Sequence, residues 1–389
     1  MNGQVRLTIL VVAAILVVAS IAESMRPSQA MPNFAQTYDM NCEVCHSVAP
    51  ALNAYGRYVQ RSNYSSLDAA TIHRAIPIWL GETAFYDTMD ANLPHKVQFG
   101  NFALHGAGFI GTDFTFHFHQ WVWQSDQPGG TDTLWLTYNK LFHRDGHLTV
   151  GKLEAPAPSF YSQFFDLSGF ATPGMTVGEH AYPLANNRWG AKFDYVKSWF
   201  TGSLAYLGPS GNLDTATKWG TLDTDKTLQW RAVYARPDRP VEVGLYGGSG
   251  VFTISDGTLD RYNSTAGWVQ LDSTHNLPGA ILIYQHNYDN NPAAGAPAAS
   301  SHGLTEEIFE PFTVFHAAAV VSARNELTDD GMGTIGHTGN VDFSIIAFRH
   351  VSPKFTNALI LNAEAVLAAN STPGWKAQAW YVFTIGRLH

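Results

Sequence analysis

The chain has 389 residues, of which 45% are apolar, 13% aromatic and only 14% charged, against roughly 25% charged in a typical soluble domain. That balance excludes a disordered chain. The 23 basic and 32 acidic residues, a formal charge of −9, exclude a protein built to hold nucleic acid, and two cysteines are too few for a disulfide scaffold.

Arg6 precedes an uncharged, almost wholly apolar run from Leu7 to Ala22, and Ser28-Gln29-Ala30 follows as a small-residue site. This is the order of a secretory signal, so residues 1–30 are expected to be a cleaved signal peptide. The alternative, a membrane anchor, needs roughly 20 apolar residues, more than this run supplies.

From 31 to 77 the sequence is mixed and locally helical, with short helices predicted over 49–59 and 66–74, the second capped by Ser66. From about 78 to 389 the period becomes two. Phe114, Phe116, Phe118 and Val122 alternate with Thr115, His117, His119 and Trp121, and Leu134, Leu136 and Tyr138 with Trp135, Thr137 and Asn139. Similar runs cover 187–196, 199–207, 226–236, 240–249, 263–271, 278–287, 312–324, 341–350, 354–366 and 375–387, separated by turn signals such as Asp145-Gly146 and Pro353. Long strands, turns that are short and long by turns, and aromatic run ends predict a transmembrane antiparallel β-barrel; about fourteen strands can be counted, and the gaps leave room for one pair more, about sixteen in all. A soluble sandwich would have strands nearer 5–6 residues and more charge. The mean hydropathy of −0.10 fits a barrel, whose lipid and lumen faces average out. The segments 155–186, 209–225, 287–304 and 325–339 are expected to be extracellular loops, with Pro292–Ser301 as a loop tip.

Cys42-Glu43-Val44-Cys45-His46 carries the chemistry. Cys-x-x-Cys-His is the attachment pattern of c-type haem: both thiols form thioethers with the haem vinyl groups, and the adjacent histidine is placed under the iron. A thioredoxin-like redox pair would need a βαβ surround and leaves His46 unexplained. One motif implies one covalent haem c, with Cys42, Cys45 and His46 binding it. For the sixth position on iron, His73, Met89 and the barrel pair His117 and His119 are all candidates. Arg57 is a candidate partner for a haem propionate through its planar fork. A segment of some fifty residues is short for wrapping a haem alone, so a barrel lumen that supplies the missing walls is expected around it.

Residues 31–64 resemble the opening of outer-membrane monohaem cytochrome c–porin fusions, the Fe(II) oxidase type of iron-oxidising bacteria. The shared elements are Met31-Pro32-x-Phe34-Ala35, Cys42-x-x-Cys45-His46, Pro50-x-Leu52 and Gly56-Arg57. The resemblance implies a small helical cytochrome c domain (31–77) plugging the barrel (78–389) in the outer-membrane lipid. It further implies electron uptake from extracellular Fe(II) and delivery to a periplasmic electron carrier. The chain departs from the common aromatic barrel ending, finishing Gly386-Arg387-Leu388-His389. Carboxylates in loops, such as Glu306-Glu307 and Asp329-Asp330, are expected to attract cations. Two other functions fit parts of the pattern: a solute porin whose haem domain gates or stabilises it, and a haem sensor or peroxidase with an open sixth site.

Overall fold

The computed structural model describes residues 34, 38, 40, 44–48, 51–68, 78–87, 96–124, 127–154, 175–182, 187–208, 226–274, 277–314, 317–352, 355–368 and 374–384. The expected signal peptide, Cys42, His73, Met89, the chain end at 386–389 and most of the expected 66–74 helix lie outside these residues.

Two small strands, β1 (His46–Val48) and β2 (Ala51–Leu52), pair antiparallel and lead into helix α1 (Ala54–Arg61). The helix starts five residues later than the 49–59 prediction, because Asn53 takes the cap: its side-chain oxygen accepts from the Gly56 N–H at 2.9 Å. Asn53 also donates its backbone N–H to the Cys45 carbonyl at 2.9 Å. That bond holds residues 51–53 against the preceding segment instead of in a helix. At the other end, Asn63 and Tyr64 adopt left-handed backbone angles (φ 48° and 67°) and turn the chain away. Ser66 stands in this turn region.

The remaining strands form one closed antiparallel sheet. In chain order they are β3 (Ile78–Asp87), β4 (Lys96–Ile110), β5 (Phe114–Gln124), β6 (Gln127–Pro128), β7 (Thr131–Leu141) and β8 (Gly146–Leu153), then a hairpin outside the barrel wall, β9 (Met175–Val177) and β10 (His180–Tyr182). The wall resumes with β11 (Arg188–Val196), β12 (Phe200–Leu207), β13 (Thr227–Ala235), β14 (Val241–Thr253), β15 (Leu259–Leu271), β16 (Gly279–Asp289), β17 (Ala299–Val314), β18 (Ala317–Asp329), β19 (Ile335–Ser352), β20 (Phe355–Ala368) and β21 (Gly374–Thr384). Each pairs with its sequence neighbour, and β21 pairs with β3 to close the ring. Among the described residues sixteen wall strands have eight residues or more, and β6 adds a two-residue fragment.

Period two decides the two faces. On β7, Leu134 and Leu136 are exposed while Trp135, Thr137 and Asn139 are buried. On β5, His117 and His119 point inward, opposite Phe116 and Phe118, as the alternation predicts. Outward positions elsewhere hold Leu148, Val150, Leu204, Leu228, Trp230 and Leu245, all exposed, whereas Thr149, Asp194, Thr201, Gln270, Gln285 and Asn287 are buried inside. An apolar outer belt around a polar interior defines an outer-membrane β-barrel. Tight connections (111–113, 142–145, 197–199, 236–240) mark one end, where exposed Phe142, Trp199 and Tyr234 sit. The longer ones (154–187, 208–226, 290–298) mark the other, the extracellular end by the usual rule.

Two expectations are corrected. The segment 287–304 is not one loop: β16 runs to Asp289 and β17 starts at Ala299, so the loop tip is shorter than Pro292–Ser301. The single strand predicted over 312–324 is two, β17 and β18, and 325–339 shrinks to the connection 330–334. The cause is polar residues on the outer face of these strands. Ser300, His302 and Glu306 face outward and find cross-strand partners: Tyr284 Oη lies 2.6 Å from His302 Nδ1, His286 Nε2 lies 2.9 Å from Ser300 Oγ, and Asn325 donates to Glu306 at 3.4 Å. Glu306 and Glu307 are therefore strand residues, Glu307 buried toward the lumen, rather than loop carboxylates.

Candidate functional site

The Cys45-His46 step stands at the start of β1. Asn53 fastens it twice: its side-chain N–H donates to the Val44 carbonyl at 3.1 Å and its backbone N–H to the Cys45 carbonyl. Gly56 makes this approach possible, since a Cβ there would lie 2.0 Å from the Cys45 oxygen and 2.9 Å from Leu52 Cδ2. Cys45 is a half-buried free thiol and His46 is buried. Burial pushes the Cys45 thiol up to about 11. A thiol and an imidazole on consecutive residues of a pinned segment are the donor set that a c-type haem takes, so the residues present fit that group.

Helix α1 is docked on the lumen wall by a buried charge network. Arg57 donates from Nε to Glu242 at 3.2 Å, from Nη1 to the Leu52 carbonyl at 3.0 Å and to Asp272, and from Nη2 to Asp272 at 3.2 Å. Arg61 donates to the same Glu242 at 2.5 Å, and Trp268 Nε1 donates to the other oxygen of that carboxylate at 3.2 Å. The relative exposures of Arg57, Arg61, Glu242 and Asp272 are 5%, 9%, 5% and 7%. Burial lowers the Arg61 guanidinium, and the neighbouring Glu242 opposes that shift. Arg57 and Arg61 balance Glu242 and Asp272 in charge, and Arg231 on β13 stands near enough to add to the field at Glu242. Arg57, the candidate partner for a haem propionate, turns its fork to barrel carboxylates, because its place on α1 faces Glu242 and Asp272 at the tight-turn ends of β14 and β15.

Beyond the helix, Asn63 donates to Asp194 at 3.2 Å. Tyr64 stacks on Trp135 with ring centroids 5.5 Å apart, and its hydroxyl lies 2.7 Å from His117 Nδ1. Full burial raises the Tyr64 hydroxyl well above its ordinary value, which keeps it protonated. His119 Nδ1 lies 2.9 Å from Asp132, and the His119 ring stacks on His105 with centroids 4.1 Å apart. The two barrel histidines considered for iron therefore face the lumen, with their Nδ1 atoms engaged by Tyr64 and Asp132. His73 and Met89, the other two candidates, lie outside the described residues, as does Cys42.

Sequence reasoning missed Asn53, Arg61, Glu242 and Asp272. Asn53 had a signal, an Asx residue three before Gly56 at a helix start. Glu242 and Asp272 had a weaker one: charge at or beside the inward phase of a run.

This is the class of an outer-membrane antiparallel β-barrel with a segment docked in its lumen. Among solved structures, the chain is similar to a loop L8 deletion mutant of OmpT, an outer membrane protein of Vibrio cholerae (TM-score 0.54, 10% identity, covering 81% of this chain and 100% of that one). It is also similar to Salmonella typhi OmpF in complex with daunomycin (TM-score 0.51, 11% identity, 79% and 97%). At such identities the likeness extends to the fold. No family model and no curated protein matches the chain.

Proposed function

We propose that this chain is an outer-membrane cytochrome c–porin that carries electrons across the membrane, taking them from extracellular Fe(II) and passing them to a periplasmic electron carrier. The observation that carries this reading is a Cys45-His46 step pinned by Asn53 on a helix whose charges are buried in the barrel wall. Cys42, Cys45 and His46 would hold one haem c, which when bound supplies a one-electron centre. The residues of the chain then have separate tasks. Asn53 and Gly56 set the path of the attachment segment. Arg57 and Arg61 hold that segment on β14 and β15, so its distance from the lumen wall stays fixed. Tyr64 and Trp135 fill the space beside it and exclude water. The acidic surplus draws a cation toward the mouth. Outer-sphere transfer asks for position and approach rather than for acid–base groups.

The experiment is a haem stain of a denaturing gel with the wild type and the Cys42→Ala/Cys45→Ala variant. Stain that survives denaturation in the wild type and vanishes in the variant supports the reading; an unstained wild type overturns it. The porin-type barrel favours a second reading, a solute porin stabilised by its docked segment. Planar-bilayer conductance separates the two: a plugged conduit conducts poorly until the segment is displaced, a porin conducts with it in place.

A further inference from the structure

At the end of the barrel away from α1, three ligating side chains meet that the proposed function does not use. The hairpin β9–β10 folds over the mouth and is tied there: the Glu179 carboxylate accepts from the Ser255 N–H at 2.6 Å and its hydroxyl at 2.9 Å, while the Glu179 N–H donates to the Pro292 carbonyl at 2.8 Å. Gly178, at φ +59°, makes the contact possible, since a Cβ there would lie 2.4 Å from the Pro292 oxygen. This docking delivers His180 to Asp260 on β15 and Asp289 on β16, which the register Tyr262↔Asp289 places near each other.

His180, Asp260 and Asp289 have relative exposures of 6%, 0% and 0%. His180 Nδ1 lies 2.9 Å from Asp289 Oδ1 and 3.6 Å from Asp260 Oδ2, and one ligand atom from each of the three falls within 4.8 Å of the others. The imidazole is held between the Phe252 ring, 4.7 Å away and nearly parallel at 9°, and Tyr262, 4.3 Å away. Asp260 Oδ1 accepts from the Asn291 N–H at 2.8 Å, and Asp289 Oδ1 accepts from the Tyr182 hydroxyl. Among the described residues, the second oxygen of each carboxylate, Asp260 Oδ2 and Asp289 Oδ2, finds no hydrogen-bond donor. Among the described residues, the ion pairs of both aspartates are with His180 alone. Two fully buried carboxylates thus share at most one positive charge, and each keeps an oxygen unsatisfied. Burial on those terms is strongly unfavourable.

A divalent cation supplies the missing positive charge and takes Asp260 Oδ2 as a ligand, with Asp289 bound through the Oδ1 that faces His180 Nδ1. Ligands about 2.0–2.2 Å from one ion stand about 3.0 Å apart in an octahedron and about 3.4 Å apart in a tetrahedron, and the two Nδ1–oxygen separations of 2.9 and 3.6 Å bracket that range. The geometry points to a binding site for a first-row divalent transition cation formed by His180, Asp260 and Asp289 at the extracellular mouth of the barrel. One imidazole with two carboxylates suits Mn(II), Fe(II) or Zn(II) rather than Mg(II) or Ca(II), which prefer all-oxygen shells. The bound ion would clasp the hairpin to the wall. The inference stands whether or not the chain carries haem.

The test uses the full chain in detergent, stripped with EDTA and titrated with Mn(II), with free Mn(II) followed by its paramagnetic resonance signal. One Mn(II) per chain is expected, displaced by equimolar Zn(II) and retained in a tenfold excess of Mg(II). Asp260→Asn and Asp289→Asn should each weaken binding at least about tenfold while keeping the heat-modifiable gel shift of a folded barrel. Zn K-edge absorption on the wild type, which needs no variant to fold, should show one imidazole and oxygen neighbours. No stoichiometric Mn(II), displacement by Mg(II) as readily as by Zn(II), or an absorption edge without imidazole would overturn the site. So would folded variants that bind like the wild type. A proton shared by the two carboxylates, the competing way to relieve their charge, would give the first of these results.

Discussion

Replacing Arg57 by Met should release α1 from the barrel wall while leaving the barrel intact. Among the described residues, Asp272 receives side-chain hydrogen bonds from Arg57 alone, two of them, and both groups are nearly inaccessible. Removing one member of a buried pair and stranding the other costs about 3–5 kcal/mol. At about 1.4 kcal/mol per tenfold, the opening constant of α1 should rise on the order of 100- to 3,000-fold. Glu242 is protected from the same fate because Arg61 and Trp268 still donate to it. The effect is therefore local to Asp272 and should be coupled to it. Asp272→Leu alone leaves Arg57 on Glu242, and the double variant strands no carboxylate at position 272, so it should recover about 2 kcal/mol relative to the sum of the singles. Native-state hydrogen exchange of the α1 amides in detergent, read by mass spectrometry, measures the opening directly. Exchange in Arg57→Met within about threefold of wild type, or strictly additive variants, would refute the docking argument.

Three further outcomes follow from the site. Gly56→Ala puts a methyl against the Cys45 carbonyl, 2.0 Å away in the present path; the displaced segment should cost about 1–3 kcal/mol and lower the covalent haem content measured as pyridine haemochrome. In Cys42→Ala chain without haem, the Cys45 thiol, raised by burial to about 11, should alkylate slowly at pH 8 and about tenfold faster per pH unit up to that value. Because the folded thiol binds its proton more tightly than the unfolded one, its contribution to plug stability is complete below about pH 8.5 and declines as pH rises toward 11; iodoacetamide kinetics across pH 7–11 check both. Trp135→Ala should remove the surface on which Tyr64 stacks and cost about 3–5 kcal/mol, seen as faster exchange at residues 62–67 with an unchanged gel shift of the barrel.

The barrel was legible because lipid imposes a strict rule. Every outward residue between Leu134 and Leu245 that meets the membrane must be apolar, and period two writes that rule along the chain. The rule lapses where strands rise beyond the lipid or carry their own polar partners, as at Ser300, His302 and Glu306. There the strand looked like a loop. The Cys42–His46 motif stands out because the c-type haem pattern it matches fits within one short segment, its spacing set by thioether chemistry. Arg57 stood out too, but its partners did not. Glu242 and Asp272 lie 185 and 215 positions away, and only closure of the barrel brings them to α1. The same holds more strongly for His180, Asp260 and Asp289, whose meeting depends on a strand register and on a hairpin folded over the mouth. Local patterns record backbone period and covalent chemistry, while contacts between distant segments leave no local trace.

The most direct test of the conduit places the wild-type protein in sealed vesicles with a soluble electron acceptor inside and adds Fe(II) outside without oxygen. Fast bleaching of the oxidised Soret band, growth of the α band and reduction of the enclosed acceptor are expected, all lost in Cys42→Ala/Cys45→Ala vesicles. Haem that dithionite reduces but Fe(II) leaves oxidised, with the acceptor untouched, would contradict the conduit.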